Sequence, residues 1–116
     1  MPAGLDHERL DVYRVSRELS REVARIARQV RRKRPDLAGQ LQRATSSVAL
    51  NIAEACGKPT FRRRAYFLRV ARASATNAAS ALDHMVDIGL LDATDIRTSK
   101  ALIVRIVSML IRMLGS

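Results

Sequence analysis

The chain has 116 residues, of which 47% are hydrophobic and only four are Phe or Tyr, and its formal net charge is +10. This length predicts one domain with one core, built from Leu, Ile, Val, Met and Ala because aromatics are scarce. One cysteine excludes an internal disulfide, and the positive charge favours a polyanionic partner, with nucleic acid ahead of an anionic membrane surface.

Residues 1–7 are predicted to be a flexible N-terminus, followed by a single domain at residues 8–116. The polar start does not have the apolar centre of a signal peptide. No stretch approaches the roughly 20 apolar residues of a transmembrane helix. We therefore expect a cytoplasmic protein without membrane association.

The first helix is predicted from about Glu8 to Arg32, with an apolar core face and an opposite arginine stripe. The core face comprises Val12, Val15, Leu19, Val23, Ile26 and Val30. The stripe comprises Arg14, Arg17, Arg21, Arg25, Arg28 and Arg32. Acids placed three residues before stripe arginines favour plain solvation in its first half. A cluster without such acids follows: Arg28, Arg31, Arg32, Lys33 and Arg34. It leaves polyanion contact and solvation equally open.

Pro35 is predicted to end the first helix and Asp36 to cap the second, which continues to about Cys56. Its apolar face comprises Leu41, Ala44, Val48, Ile52 and Ala55, and a polar stripe beside it comprises Gln40, Arg43, Ser47, Asn51 and Glu54. Two adjacent stripes predict a helix buried on more than one side. Gly57 is the predicted C-cap, and Cys56 is expected to be a small buried hydrophobe.

Thr60 is predicted to cap a third helix from Phe61 to about Ile88, which Gly89 closes. Its core face comprises Phe61, Ala65, Leu68, Ala75, Ala79, Leu82 and Val86. A neighbouring stripe of small residues comprises Ala71, Ser74, Ala78, Ala81 and Met85. The combined width favours burial against a second subunit, and a loose alanine-rich surface is the alternative.

Asp92 is predicted to cap a fourth helix that runs to about Leu114. Its core face comprises Ile96, Leu102, Ile103, Ile106, Val107, Leu110 and Met113. Short connections predict an all-α, antiparallel, up-down-up-down four-helix bundle. This topology places the Arg28–Arg34 cluster at one end and a second cluster, Lys58 with Arg62, Arg63 and Arg64, at the other, so both ends are predicted to be basic.

No residue pattern predicts catalysis, a metal site or a cofactor. His84 has no His, Cys or Glu three or four residues away, and His7 lies in the predicted flexible segment. The Glu-x-x-His motif of di-metal four-helix bundles is absent from the sequence. We therefore expect a non-enzymatic protein with no catalytic residues, no bound metal and no cofactor.

The second helix also carries a recognisable signature, Q-L-x-R-A-x-x-S-[IV]-x-x-N-I-A-E-G-x-G-[RK]. Here it reads Gln40-Leu41, Arg43-Ala44, Ser47-Val48, Asn51-Ile52-Ala53-Glu54 and Gly57-Lys58. Similarity continues at Leu10–Tyr13 and at Phe67–Ser74. The pattern resembles that of the small bacterial four-helix-bundle proteins encoded in 23S rRNA intervening sequences.

This resemblance implies a homopentamer of bundles around a central axis. Related bundles are accessory proteins of diversity-generating retroelements, where they bind nucleic acid and reverse transcriptase. The implied partners are therefore further copies of the chain, nucleic acid, and a protein such as a reverse transcriptase.

The leading functional hypothesis is binding of structured RNA or DNA through backbone phosphates. The predicted contact residues are Arg28, Arg31, Arg32, Lys33, Arg34, Lys58, Arg62, Arg63 and Arg64. We expect no base stacking, on the ground that aromatics are not interleaved with the arginines. The motif residues Gln40, Arg43, Ser47, Asn51, Glu54 and Gly57 are predicted to be structural or to lie at a subunit interface. The alternative function is a protein scaffold that docks an acidic partner and binds no nucleic acid.

Overall fold

The computed structural model describes residues 3–115, with side chains described from residue 8 onward. Four α-helices form within this range: α1 (Ala3–Val30), α2 (Pro35–Cys56), α3 (Phe61–Asp87) and α4 (Arg97–Leu114). A short 3-10 helix, Ala93–Ile96, precedes α4, and the described residues form no strand. The all-α four-helix prediction is confirmed.

The helices pack in a ring, in which each helix contacts its neighbours in the chain and α4 returns to α1. The resulting bundle measures 47 × 22 × 21 Å. The α1–α2 and α3–α4 connections lie at one end of its long axis. The α2–α3 connection lies at the other end, together with the beginning of α1 and the end of α4.

The predicted core faces of α1, α2 and α4 are confirmed. All six predicted positions of α1 are at most 2% exposed, and Leu41, Val48 and Ile52 of α2 are fully buried. Ala44, Val107 and Met113 are partly buried and pack against the same core. The prediction that Phe61 lies in the core is wrong, since its side chain is 52% exposed. It lies in the first turn of α3, where the bundle ends and no other helix covers it.

The second apolar stripe of α3 needs no second subunit. Its members Ala71, Ala78 and Met85 are fully buried, and Ser74 and Ala81 are less than 9% exposed, within a single chain. α3 packs against both α2 and α4, so two of its faces are covered internally. The prediction that this stripe is buried against a second subunit is therefore wrong. Small side chains on it allow neighbouring helices to approach closely.

Several helix ends differ from the predictions. α1 starts at Ala3 and stops at Val30, and Pro35 opens α2 instead of ending α1. This position suits proline, whose missing N–H is unbonded in a first turn anyway. Arg34, and not Asp36, occupies the N-cap of α2. Asp92 precedes the 3-10 helix and not α4 itself.

Three residues predicted to lie at helix ends are confirmed. Thr60 caps α3, where its hydroxyl oxygen accepts a hydrogen bond from the backbone N–H of Arg63 at 3.3 Å. Gly57 is the C-cap of α2. Gly89 follows α3 with a φ of +82°, a left-handed conformation that side chains with a Cβ disfavour.

Residues 1–7 are predicted to be flexible. The side chains of these residues, and the backbone of residues 1 and 2, lie outside the part of the chain that the structure describes. Their flexibility therefore stays a prediction. Among the helices of the described range, none is long and apolar enough to cross a membrane.

Candidate nucleic-acid interface

The predicted cation cluster after α1 is partly engaged with its own chain. Arg34 forms an ion pair with Asp36 at 2.9 Å, and Arg31 donates a hydrogen bond to the side chain of Gln42 at 2.8 Å. The hydrogen bond from Arg34 is the main cause that lowers the pKa of Asp36. The side chains of Arg28, Arg32 and Lys33 are exposed and form no hydrogen bond or ion pair with another described residue.

The fold brings acids to this end from a distant part of the sequence. They lie near the end of α3 and before α4: Asp83, Asp87, Asp92 and Asp95. Asp83 forms an ion pair with Lys100 at 2.6 Å. The pKa of Arg25 is raised mainly by its hydrogen bond to Glu22 and further by the charge of Asp95. We call this end the mixed-charge end, because these aspartates share it with the predicted cation cluster.

The opposite end has a different charge composition. Residues 55–82 contain no acid. Their cations are Lys58, Arg62, Arg63, Arg64, Arg69 and Arg72. We call the end that carries the α2–α3 connection and the first half of α3 the basic end. Arg112 approaches it from α4, since it lines the same shallow groove as Asp11 near the beginning of α1.

Two of the predicted cations at the basic end bind within the chain. Lys58 forms an ion pair with Glu54 at 3.3 Å, and Arg64 donates a hydrogen bond to the backbone oxygen of Lys58 at 3.2 Å. The side chains of Arg62, Arg63 and Arg69 are exposed and form no such contact with any described residue. They are therefore available to an external anion.

Sequence reasoning missed Tyr66 and Arg69 at this site. Arg62, Tyr66 and Arg69 follow one another at spacings of four and three residues, which places them along one face of α3. All three are exposed, and Tyr66 is 59% exposed. The expectation that no aromatic lies among the arginines is thus wrong for α3. Helical spacing, applied to this polar face, was the signal that could have found them.

The signature residues of α2 fall into two groups: a central pair whose side chains form hydrogen bonds within the bundle, and exposed residues on either side of it. The hydroxyls of Ser47 and Ser74 are 2.7 Å apart and join α2 to α3. The Asn51 amide donates to the backbone oxygen of Ser47 at 2.8 Å and to its hydroxyl at 3.1 Å. Ser47 therefore joins α2 to α3, and Asn51 supports Ser47 from within α2. The structural role predicted for the motif residues stays a prediction.

The remaining motif side chains are exposed. Glu54 binds Lys58, whereas Gln40 and Arg43 line a groove of about 610 Å³ between α2 and α3. Ser80 and His84 of α3 line the same groove, and none of its lining residues is acidic. The predicted place of these side chains at a subunit interface stays a prediction.

A second hollow, of about 560 Å³, lies between the beginning of α1 and the end of α2. Leu10, Tyr13, Ala53 and Cys56 line it together with Arg9. The prediction that Cys56 is buried is wrong, because Ala55 occupies the core and the next residue is turned outward. Packing around the sulfur still raises the pKa of the Cys56 thiol, and the charge of Arg9 opposes this shift.

Metal-binding residue types are scattered over the structure. No three of the described His, Cys, Asp and Glu side chains come together in a way that could hold a metal ion. The site is therefore characterised by exposed cations and aromatic rings. The absence of catalytic residues and of a cofactor stays a prediction.

The fold and its charge define a small, basic, all-α bundle of four antiparallel helices. The sequence profile of the proteins described as "23S rRNA-intervening sequence protein" matches residues 8–112. The chain belongs to this family, which confirms the resemblance seen in the sequence.

A solved structure shares the fold. It is a crystal structure titled as a protein with unknown function from the S23 ribosomal protein family of Bacteroides thetaiotaomicron VPI-5482. The two chains are 16% identical, and they superpose with a TM-score of 0.84 over 90% of this chain and 99% of the other. This similarity establishes the fold. No curated protein matches the chain significantly.

Proposed function

We propose that the protein is a non-enzymatic nucleic-acid-binding module that contacts backbone phosphates with its basic end. The observation that carries the proposal is the group of exposed cations Arg62, Arg63 and Arg69, whose side chains form no ion pair with a described residue and which lie in a stretch of sequence without acids. A guanidinium donates to phosphate oxygens through several N–H groups, and it stays charged at any physiological pH.

The mixed-charge end supports the proposal less. Its cations Arg28, Arg32 and Lys33 are exposed, but four aspartates of the α3–α4 region share that end of the bundle. Those carboxylates repel phosphates over about the same distance at which the arginines attract them, roughly 8–10 Å at physiological salt. We therefore assign the primary contact to the basic end and a secondary role to the cluster after α1.

Structured RNA is the first ligand to test, because the family description names a segment of 23S rRNA. Phosphate contacts position a protein without reading base edges. Binding through them is expected to be independent of sequence and to extend to duplex DNA.

We further propose that the protein self-associates, as the homopentamer expected from the family resemblance. Exposed apolar side chains support self-association: Leu10 is 67% exposed and lies beside Tyr13 and Cys56 in the α1–α2 hollow. Leu50 is 66% exposed and precedes Ala53, which lines the same hollow, by three residues on α2. Apolar side chains grouped on a surface favour contact with another protein surface. Each added subunit would bring another basic end to the same polyanion and increase affinity by avidity.

Light scattering coupled to size exclusion tests the self-association. We expect a mass that is a multiple of the 12.9 kDa chain. The double variant Leu10→Glu, Leu50→Glu should shift it to 12.9 kDa with unchanged helical circular dichroism. A monomeric wild-type protein at micromolar concentration would contradict the proposal.

Fluorescence anisotropy on two unrelated duplexes, one of RNA and one of DNA, tests the proposed binding. We expect similar affinities for both sequences, falling by orders of magnitude between ~50 and ~200 mM salt. The nucleic acid should be recovered intact, as a non-enzymatic function requires. No binding at the lower salt concentration would refute the proposal, and capture of an acidic protein insensitive to nuclease would favour the scaffold alternative.

A further inference from the structure

The first two turns of α3, at the basic end, expose two of the four Phe and Tyr residues of the chain. Phe61 is 52% and Tyr66 59% exposed, although aromatic side chains contribute most to stability when they are buried. Neither ring lies in the apolar α1–α2 hollow, so the surface proposed for self-association does not account for them.

Tyr66 is held in place from one side. Its ring meets the ring of Phe67 edge to face, with centroids 5.0 Å apart and an interplanar angle of 88°. Phe67 in turn packs against the core, and the ammonium of Lys58 lies 5.1 Å from the centre of its ring. A ring supported in this way loses little conformational freedom when a ligand stacks on it.

Cations flank the exposed ring along the helix. Arg62 precedes Tyr66 by four residues and Arg69 follows it by three, and side chains at these spacings are neighbours on a helix surface. Arg62 and Arg69 are exposed and form no contact with an acid among the described residues. The face thus alternates a cation, an aromatic ring and a cation.

We infer that this face binds single-stranded nucleic acid, with an unpaired base stacked on Tyr66 and the adjoining phosphates bound by Arg62 and Arg69. Aromatic rings within a positively charged surface are the arrangement that captures unpaired bases, because every base offers a flat face and every linkage a negative charge. In a duplex, the bases are stacked on one another and cannot reach the ring. The inference rests on the proposed function and refines its ligand to unpaired strands.

Phe61 extends the same platform. It stands at the start of α3, directly before Arg62, at the end of the bundle. A strand that stacks one base on Tyr66 and continues past the helix start would meet Phe61 next. We assign Tyr66 the larger contribution, since Phe67 supports its ring from within the protein.

The first test compares a single strand with a duplex of the same sequence in anisotropy titrations. We expect the wild type to prefer the single strand, and Tyr66→Ala to weaken single-strand binding by roughly 5- to 150-fold, the range for loss of one base–aromatic stack. Duplex binding should change much less. Tyr66→Phe should retain single-strand affinity, because it keeps the ring and removes only the hydroxyl.

Ile88→Ala is the matched control. Ile88 is 44% exposed at the mixed-charge end, so the variant also removes exposed apolar surface but leaves the platform intact. Its affinity for single strands should equal that of the wild type. Circular dichroism on each variant establishes that the helical fold persists.

A spectroscopic test follows from the absence of tryptophan in the chain. Tyr66→Trp introduces a single indole at the platform, whose fluorescence a stacked base should quench on addition of a single-stranded oligonucleotide. Ile88→Trp should show no quenching. Equal affinity for single strand and duplex, or equal losses for both with Tyr66→Ala, would overturn the inference and leave phosphate binding standing. If the wild-type protein binds neither the single strand nor the duplex at low salt, the proposed function itself is refuted.

Discussion

The two ends of the bundle differ less in their cations than in the acids around them. At the mixed-charge end, Asp36 pairs with Arg34 and Asp83 with Lys100. At the basic end, Glu54 pairs with Lys58 and Asp11 with Arg14, whereas the side chains of Arg62, Arg63 and Arg69 form no ion pair with a described residue. A cluster of positive residues therefore predicts a binding surface only once the fold has shown which acids share it.

The largest effect that tests this comparison is a matched pair of charge reversals. Arg62→Glu, Arg63→Glu, Arg69→Glu changes the basic end, and Arg28→Glu, Arg32→Glu, Lys33→Glu changes the mixed-charge end by the same amount. We expect the first set to reduce affinity for duplex nucleic acid more than about tenfold beyond the second. Each lost phosphate contact should also lower the slope of log affinity against log salt by roughly one.

Both triple variants alter exposed side chains, so circular dichroism should show the wild-type helical content for each. Anisotropy at one fixed salt concentration ranks them. If the two sets weaken binding equally, the acids of the α3–α4 region do not matter and the assignment to one end is incorrect.

The sequence predicted the four helices well because apolar spacing records burial directly. The predicted up-down topology already brings Asp83 and Asp95 to the same end as the cations after α1, but the prediction of charge considered only the cations of each end. The second stripe of α3 shows what the sequence could not decide. Its width was correctly recognised, but only the packing of α3 against both α2 and α4 shows that one chain covers it.

The candidate site was half predictable. Arg62 and Arg63 were found from local charge. Tyr66 and Arg69 needed helical periodicity, which was applied to the polar faces of the first two helices but not to that of the third. Cys56 shows how a single position decides burial. Ala55 lies in the core at 2% exposure, and the next residue faces solvent about 100° around the helix.

A smaller effect should follow from neutralising acids at the mixed-charge end. Asp83→Asn with Asp87→Asn removes two carboxylates near the end of α3 and frees Lys100 from its 2.6 Å ion pair. The mixed-charge end then keeps its cations and carries two fewer carboxylates, and we expect affinity for duplex nucleic acid to rise several-fold. Anisotropy measures the change, and an unchanged or reduced affinity would show that this end does not approach the ligand.

Separating stability from binding sharpens the comparison further. Asn51→Ala removes two hydrogen bonds in the half-buried network of Ser47 and Ser74, and should lower the free energy of unfolding by about 1 kcal/mol while binding is kept. Glu54→Ala removes an exposed ion-pair partner of Lys58, and should change stability little and raise affinity slightly.

Urea unfolding followed by circular dichroism, together with anisotropy on the same samples, distinguishes these two variants. The reverse outcome, in which Asn51→Ala keeps full stability but loses binding, would make the polar motif of α2 part of the binding surface and not a structural element.

The smallest effect concerns Cys56 at the basic end. The pKa of its thiol depends on two opposing influences, burial and nearby positive charge. Nearby cations alone would stabilise a thiolate and lower its pKa, and Arg9 does act in that direction. Burial acts more strongly in the opposite direction, so the pKa of the thiol is raised above that of free cysteine.

At a given pH below this pKa, less thiolate is present, and reaction of Cys56 with an aromatic disulfide reagent should be slower than for free cysteine. The midpoint of the pH–rate profile should lie at higher pH than for a cysteine in an unstructured peptide with both termini blocked in the same buffer, and added salt should raise it slightly further by screening Arg9. A midpoint below that of the free thiol would mean that the positive field at this end outweighs burial, and that its cations lie closer to Cys56 than the structure places them.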